Sequence, residues 1–204
     1  MPEDVTKSGS VSPNEVPAAS PAAAAPKPPA AAAKPAVPAY QRWTGELPSR
    51  LQREYGSGVQ PLSYNGQNFF TVDRAIAHAV LRVLRDEAGF DYLVDCTAVH
   101  YPQRELPFEV VWILYSFRRN ERLRVKASFA EGEEVPTATD LWQTANWLER
   151  EAFDMFGTRF AGHPDLRRIL LPDEWVGYPL RKDYDIRKQD QDWVQKNLGI
   201  ESGQ

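Results

Sequence analysis

A single cysteine, Cys96, stands in the 204 residues of this chain. One thiol excludes an internal disulfide. It also excludes a complete cysteine-ligated iron–sulfur cluster, which takes several thiolates. Runs of 18 or more apolar residues are absent, so no segment has the length to span a bilayer as a helix. An excess of positive charge is missing too: 24 Lys and Arg stand against 28 Asp and Glu, for a net charge of −4. Nucleic-acid binders usually carry a strongly basic stripe, which the overall balance does not supply. Glycines are poorly placed for a dinucleotide loop, where they must fall between a strand and a helix. Gly56-Ser57-Gly58 lacks the third glycine and follows a predicted helix, and no Gly-Lys-Ser/Thr phosphate loop occurs.

What is present changes character twice along the chain. Residues 1–39 hold twelve Ala and nine Pro, no aromatic residue and no Arg. Lys7, Lys27 and Lys34 cancel Glu3, Asp4 and Glu15. Such a segment cannot bury enough apolar area to offset the entropy of ordering it, and its prolines interrupt the Ala runs. It is expected to be a disordered tail. It is not a secretory signal, because no basic region precedes an apolar core.

The globular part begins near Tyr40. Leu47, Leu51 and Tyr55 recur at helical spacing, and Gly56 closes that helix. Leu62 and Tyr64 lead into Asn65-Gly66, with Phe69, Phe70 and Val72 beyond: a two-residue hairpin whose turn positions both need positive φ. Pro61 places its first strand at an edge. Asp73 is the expected N-cap of a second helix, with Ile76, Ala77, Val80, Leu81 and Leu84 as its apolar stripe and Gly89 as its end.

Three strands should follow. Phe90, Tyr92, Val94 and Cys96 alternate. Residues 110–115 are almost continuously apolar, as in a strand covered on both faces. Leu123, Val125, Ala127 and Phe129 alternate with Arg122, Arg124, Lys126 and Ser128. The basic wet face of that last strand is expected to be solvated, with nucleic acid or a partner as the alternative occupants. Thr139-Asp140 opens a third helical region in which Leu141, Ala145, Leu148, Ala152 and Phe156 repeat, and Gly157 stops it. The fold class is α+β: a mixed, partly antiparallel sheet with helices packed on it, followed by an irregular extended C-terminal segment.

Candidate chemistry is sparse. Cys96 and His100 lie four apart on a predicted strand, about 13 Å at roughly 3.3 Å per residue, too far to share a metal ion. His78 falls on a helix face, and His163 in Gly162-His163-Pro164 is placed to hydrogen-bond backbone. Glu149, Arg150, Glu151 and Asp154 suggest paired carboxylates, but Glu149 and Glu151 point nearly opposite ways on a helix. Arg150 lies four residues before Asp154 and can pair with it, so an ion-pair lattice is expected. A hydrolase built on Glu151, Asp154 and His163 is the catalytic alternative.

Residues 158–185 are too broken by Gly and Pro for long helices and too apolar for a solvated loop. A long irregular segment rich in large apolar groups needs a surface to cover. The chain therefore divides into a tail (1–39), an α+β core domain (40–157) and an extended partner-binding C-terminal segment (158–204).

One block decides between these readings. Glu149-Arg150-Glu151, Asp154-Met155-Phe156-Gly157, Gly162-His163-Pro164, Leu166, Arg168-Ile169-Leu170, Pro172-Asp173, Trp175, Pro179-Leu180 and Arg181-Lys182-Asp183-Tyr184 follow in order. Asp95-Cys96-Thr97-Ala98-Val99 and Phe108-Glu109-Val110-Val111 extend the pattern backwards. The run resembles the signature of the C-type subunits of NADH-quinone oxidoreductase (respiratory complex I), departing from it at Asp185, where proline is expected. The resemblance implies a cofactor-free subunit without catalytic residues. Such a subunit lies in the peripheral arm, on the cytoplasmic side of the bacterial inner membrane. The arm passes electrons from NADH through iron–sulfur clusters to quinone in a proton-translocating enzyme. The resemblance further implies packing against the D-type subunit, with neighbouring iron–sulfur subunits close by. Trp175, Tyr178, Tyr184, Arg167, Arg168 and Arg181 are of the residue types enriched at interface hot spots, and with Lys182 they are taken as the partner interface. Glu149, Arg150, Glu151, Asp154 and His163 form the structural signature. The equivalent subunit of a membrane-bound hydrogenase or ferredoxin-linked complex is the alternative within the superfamily.

Overall fold

The computed structural model describes residues 39–185, 187 and 191–199. The tail expected at 1–39 lies, apart from its last residue, outside them. Strand β1 (Gln41–Arg42) precedes helix α1 (Glu46–Tyr55), which ends at Gly56 with φ 60°. Strands β2 (Val59–Tyr64) and β3 (Gln67–Val72) form the hairpin, with Asn65 and Gly66 at φ 48° and 73°. Both values lie where the Asn-Gly turn needs them. Helix α2 (Ala77–Asp86) leads to β4 (Tyr92–His100), β5 (Phe108–Ser116) and β6 (Glu121–Phe129). Short β7 (Glu134–Pro136), helix α3 (Ala145–Phe156), β8 (Arg159–Ala161) and α4 (Gln191–Leu198) complete the helices and strands of the described residues.

Six strands make one mixed sheet in the order β1-β2-β3-β6-β5-β4, parallel only between β3 and β6. This is the α+β class expected. Helices α1, α2 and α3 all feed one buried cluster with a single face of the sheet, where Trp112, Phe70, Leu114 and Leu123 are fully buried. Strands β7 and β8 form a separate parallel pair.

Four local expectations need correction. Pro61 does not lie on the outermost strand, because two residues of β1 cover that edge at Leu62 and Ser63. Asp73 precedes a short 3-10 turn (Arg74–Ile76) and makes no side-chain cap; its carbonyl accepts from Ile76 instead. The alternation of Tyr92 and Val94 with Cys96 fails. A bulge at Val94 shifts the register, so Leu93 and Cys96 point inward while Tyr92 and Val94 are exposed. The third helix starts at Ala145 rather than Thr139, and turns fill the gap.

Candidate functional site

After Gly157 the chain runs back across its own domain as a strap over residues 158–185. Gly157 permits the reversal. It caps α3 at φ 76°, and a Cβ there would meet Tyr178 at 2.6 Å and Arg181 at 2.7 Å. Only glycine gives both the left-handed turn and that close approach.

The main fastening is Asp154, fully buried on α3. Its Oδ2 accepts the backbone N–H groups of Ile169 (2.9 Å), Leu170 (2.7 Å) and Leu171 (3.0 Å). Its Oδ1 accepts from Arg168 Nη1 at 2.7 Å. Burial pushes this carboxyl up, but the backbone donors and the Arg168 guanidinium outweigh it, and Asp154 titrates below its ordinary value. Arg168 also donates to the carbonyls of Asp154, Trp175 and Gly177.

Further along, Leu180 N–H donates to Met155 O and Arg181 Nε donates to Phe156 O at 2.6 Å, satisfying carbonyls left free at the C-terminal end of α3. Arg181 also meets Glu131 at 2.6 Å and lies over the Phe108 and Tyr178 rings. The Lys182 N–H reaches His100 Nδ1, whose ring stacks on Phe108.

The expected ion-pair lattice takes a different form. Arg150 does not pair with Asp154. It donates to the carbonyls of Arg167 and Arg168, with Asp165 at 3.8 Å, because Arg168 already occupies the Asp154 carboxylate. Glu149 makes no ion pair among the described residues. It is buried, accepts from the Thr137 hydroxyl (2.5 Å) and the Ala138 N–H (2.7 Å), and burial raises its pKa to about 7. Glu151 is exposed. His163 holds backbone on both sides: Nδ1 accepts from Asp165 N–H and Nε2 faces Asn146 O at 3.1 Å. With Asp154 and His163 so engaged, the three residues of the hydrolase alternative do not assemble into an open acid–base site.

The partner-facing role expected of Arg168 and Arg181 does not match their surroundings. Their side chains are 13% and 18% exposed, and the chain's own carbonyls and carboxylates hold them. Arg167 and Lys182 are exposed, although Arg167 also meets Asp165 at 3.0 Å. Trp175, Tyr178 and Tyr184 are half-buried, with Trp175 edge-on to Trp193. The sequence-based set misses the strap's outward apolar side chains: Leu170, Val176 and Leu180, at 60%, 69% and 49% exposure. Among the described residues, no group of three His, Cys, Asp or Glu side chains could hold a metal ion, and no helix is long and apolar enough to cross a membrane.

Residues 70–190, which include the strap and its anchors, match the family described as respiratory-chain NADH dehydrogenase, 30 Kd subunit. The chain belongs to that family. It is 40% identical over 145 residues to the C-type NADH-quinone oxidoreductase subunit of Geotalea uraniireducens, covering 70% of this chain and 88% of that one. It is 47% identical over 124 residues to a C/D-type NADH-quinone oxidoreductase subunit of Bdellovibrio bacteriovorus, covering 61% of this chain but only 22% of that longer protein. Among solved structures, a trypsin-resistant fragment (1-134) of Nqo5 matches with TM-score 0.53 at 30% identity, covering 59% of this chain and all of the fragment. As a member of the 30 Kd subunit family, the chain carries the family block on α3 and the strap. There Arg150, Asp154, Arg168 and Arg181 hold the strap to the helix.

Proposed function

We propose that this chain is a non-catalytic scaffold subunit of a proton-translocating NADH-quinone oxidoreductase. It docks its C-terminal strap onto the D-type subunit, near iron–sulfur subunits, on the cytoplasmic side of the membrane. The carrying observation is the strap itself, fastened on its inner side by Asp154, Arg168 and Arg181 while Leu170, Val176 and Leu180 face outward. Exposed apolar groups held by a rigid backbone suit an interface, because little ordering entropy remains to oppose binding. The C/D-type relative of Bdellovibrio bacteriovorus supports the choice of partner, since in it a stretch similar to this chain shares one polypeptide with a D part. Tethering of that kind raises effective concentration for a contact between the parts. Arg167 and Lys182 flank the apolar group as its exposed cations, where charge sets register more than affinity.

Native purification with a tag on this chain tests the reading. The expected result is a large assembly containing a D-type subunit and iron–sulfur absorbance, with the isolated chain colourless. A monomer in native extract, free of other oxidoreductase subunits, overturns it.

A further inference from the structure

The face of the sheet away from the helices carries a second set of features that the strap does not use. On β6, Arg122, Arg124 and Lys126 alternate with buried Leu123, Val125 and Ala127, and so share the outward face. The register sets Arg122 opposite Tyr115, Arg124 between Ile113 and Phe69, and Lys126 between Val111 and Thr71. Phe69 and Val111 are buried, yet neither belongs to the cluster beneath the helices. Phe69 is covered by its own neighbours: the Tyr40 ring at 5.5 Å and Lys126 Nζ at 5.1 Å.

The charges on this face do not balance. Glu109 holds both Arg104 and Lys126, each at 3.3 Å. Arg124 donates to the neutral Gln67 side chain, and Arg122 has no ion pair among the described residues. Arg104, Arg122, Arg124 and Lys126 thus stand with the outward carboxylates Glu109 and Asp95 and with Glu121 at the end of β6, on a chain whose net charge is −4. At one end the cations border a cleft of about 440 Å³ between the hairpin turns at 65–66 and 117–120, which Gln67, Asn68, Tyr115, Asn120 and Glu121 help to line.

We propose that this face docks an acidic amphipathic helix of another polypeptide. Half-buried Leu62 and Ile113 lie beside the charged positions and call for apolar groups on the occupant, which a nucleic-acid backbone lacks. Arg122 and Arg124, two apart on a strand, stand about 7 Å from each other. Carboxylates four apart on a helix stand about 6 Å apart, so one acidic pair meets both guanidiniums. The proposal goes beyond the scaffold reading and rests on it only for the presence of a second polypeptide.

Photo-crosslinking in the full chain, within its native membrane assembly, tests the proposal. A benzoylphenylalanine at exposed Tyr64, which leaves both guanidiniums in place, should give a dominant adduct with a segment of another polypeptide bearing Asp and Glu at helical spacing. With the same probe, Arg122→Glu plus Arg124→Glu should lower adduct yield at least tenfold, and Arg122→Lys plus Arg124→Lys should retain most of it. An unchanged yield in the charge-reversed chain overturns the proposal. So do adducts confined to this chain, lipid or nucleic acid, or no adduct at all. Failure here while a D-type subunit still co-purifies removes the docking face and leaves the scaffold reading standing.

Discussion

Arg168 Nη1 lies 2.7 Å from Asp154 Oδ1, with the carboxylate fully buried and the Arg168 side chain nearly so. The same carboxylate collects three consecutive backbone N–H groups, and the same guanidinium reaches the carbonyls of residues 154, 175 and 177. The pair therefore organises irregular chain in the way that a ladder organises a strand, by giving buried backbone groups their partners. A segment without regular secondary structure is held in one shape by side chains.

Removing one member should release the strap. Asp154→Asn leaves the Arg168 guanidinium buried without its counter-charge, which typically costs about 3–5 kcal/mol. We expect a lower unfolding midpoint and faster tryptic cleavage between residues 167 and 182, with the sheet's circular dichroism retained. Acid should act on the same contact. The Asp154 carboxyl titrates below its ordinary value, so its contribution is present above the unfolded-state pKa and is lost only as pH falls through the lower folded one. Unchanged cleavage of the Asn variant would sink the fastening role.

Much of the sheet is legible in the sequence because its signals are local. Leu123 to Phe129 alternate in the sequence and on the strand, and Asn65-Gly66 supplies the positive φ that its turn needs. The parallel pairing of β3 with β6 is not legible, since neither strand carries a mark naming so distant a partner. The Val94 bulge also escapes, because an inserted residue looks like an ordinary member of an alternating run. In the site, sequence proximity suggests Arg150 as the partner of Asp154, but the fold brings Arg168 across a turn. Most of the acceptors for Arg168 are backbone carbonyls, which no residue type announces.

Two pairs of cations should respond differently to charge reversal. Arg168→Glu or Arg181→Glu places a carboxylate against Asp154 or Glu131 and should destabilise the isolated chain. Arg167→Glu with Lys182→Glu, both at exposed positions, should move isolated-chain stability by about 0.5 kcal/mol or less. The same double variant should weaken recovery of the D-type partner in a native pull-down. Full recovery would show that the exposed cations take no part in docking.

Gly157→Ala offers a steric test of the reversal. The methyl group would have to displace the Tyr178 ring and the Arg181 guanidinium, and would also strain a left-handed backbone. We expect a loss of more than about 1 kcal/mol, the size of the backbone effect alone. Exposed Gly132, where an added Cβ meets nothing within 4 Å, is the control with comparable φ. Equal thermal shifts for the two alanine variants would mean that the close approach at Gly157 carries no weight.

Glu149→Gln should flatten the pH dependence of stability. Burial raises the Glu149 carboxyl from 4.5 to about 7, against the pull of the Thr137 hydroxyl and the Ala138 N–H, and Asp140 adds to the rise. Between those two values the folded chain binds more protons than the unfolded chain, so stability falls as pH rises through the interval. The contribution is full below the unfolded pKa and gone above about 7, on the order of a few kcal/mol at about 1.4 kcal/mol per pH unit. Glutamine stays neutral. Its carbonyl can still accept from Ala138 and its amide can donate to Thr137, so it should keep the contact without the pH response. Denaturant titrations at pH 5 and pH 8 on both chains measure the difference. Parallel slopes for the wild-type and Gln chains would show that Glu149 stays ionised in its buried site.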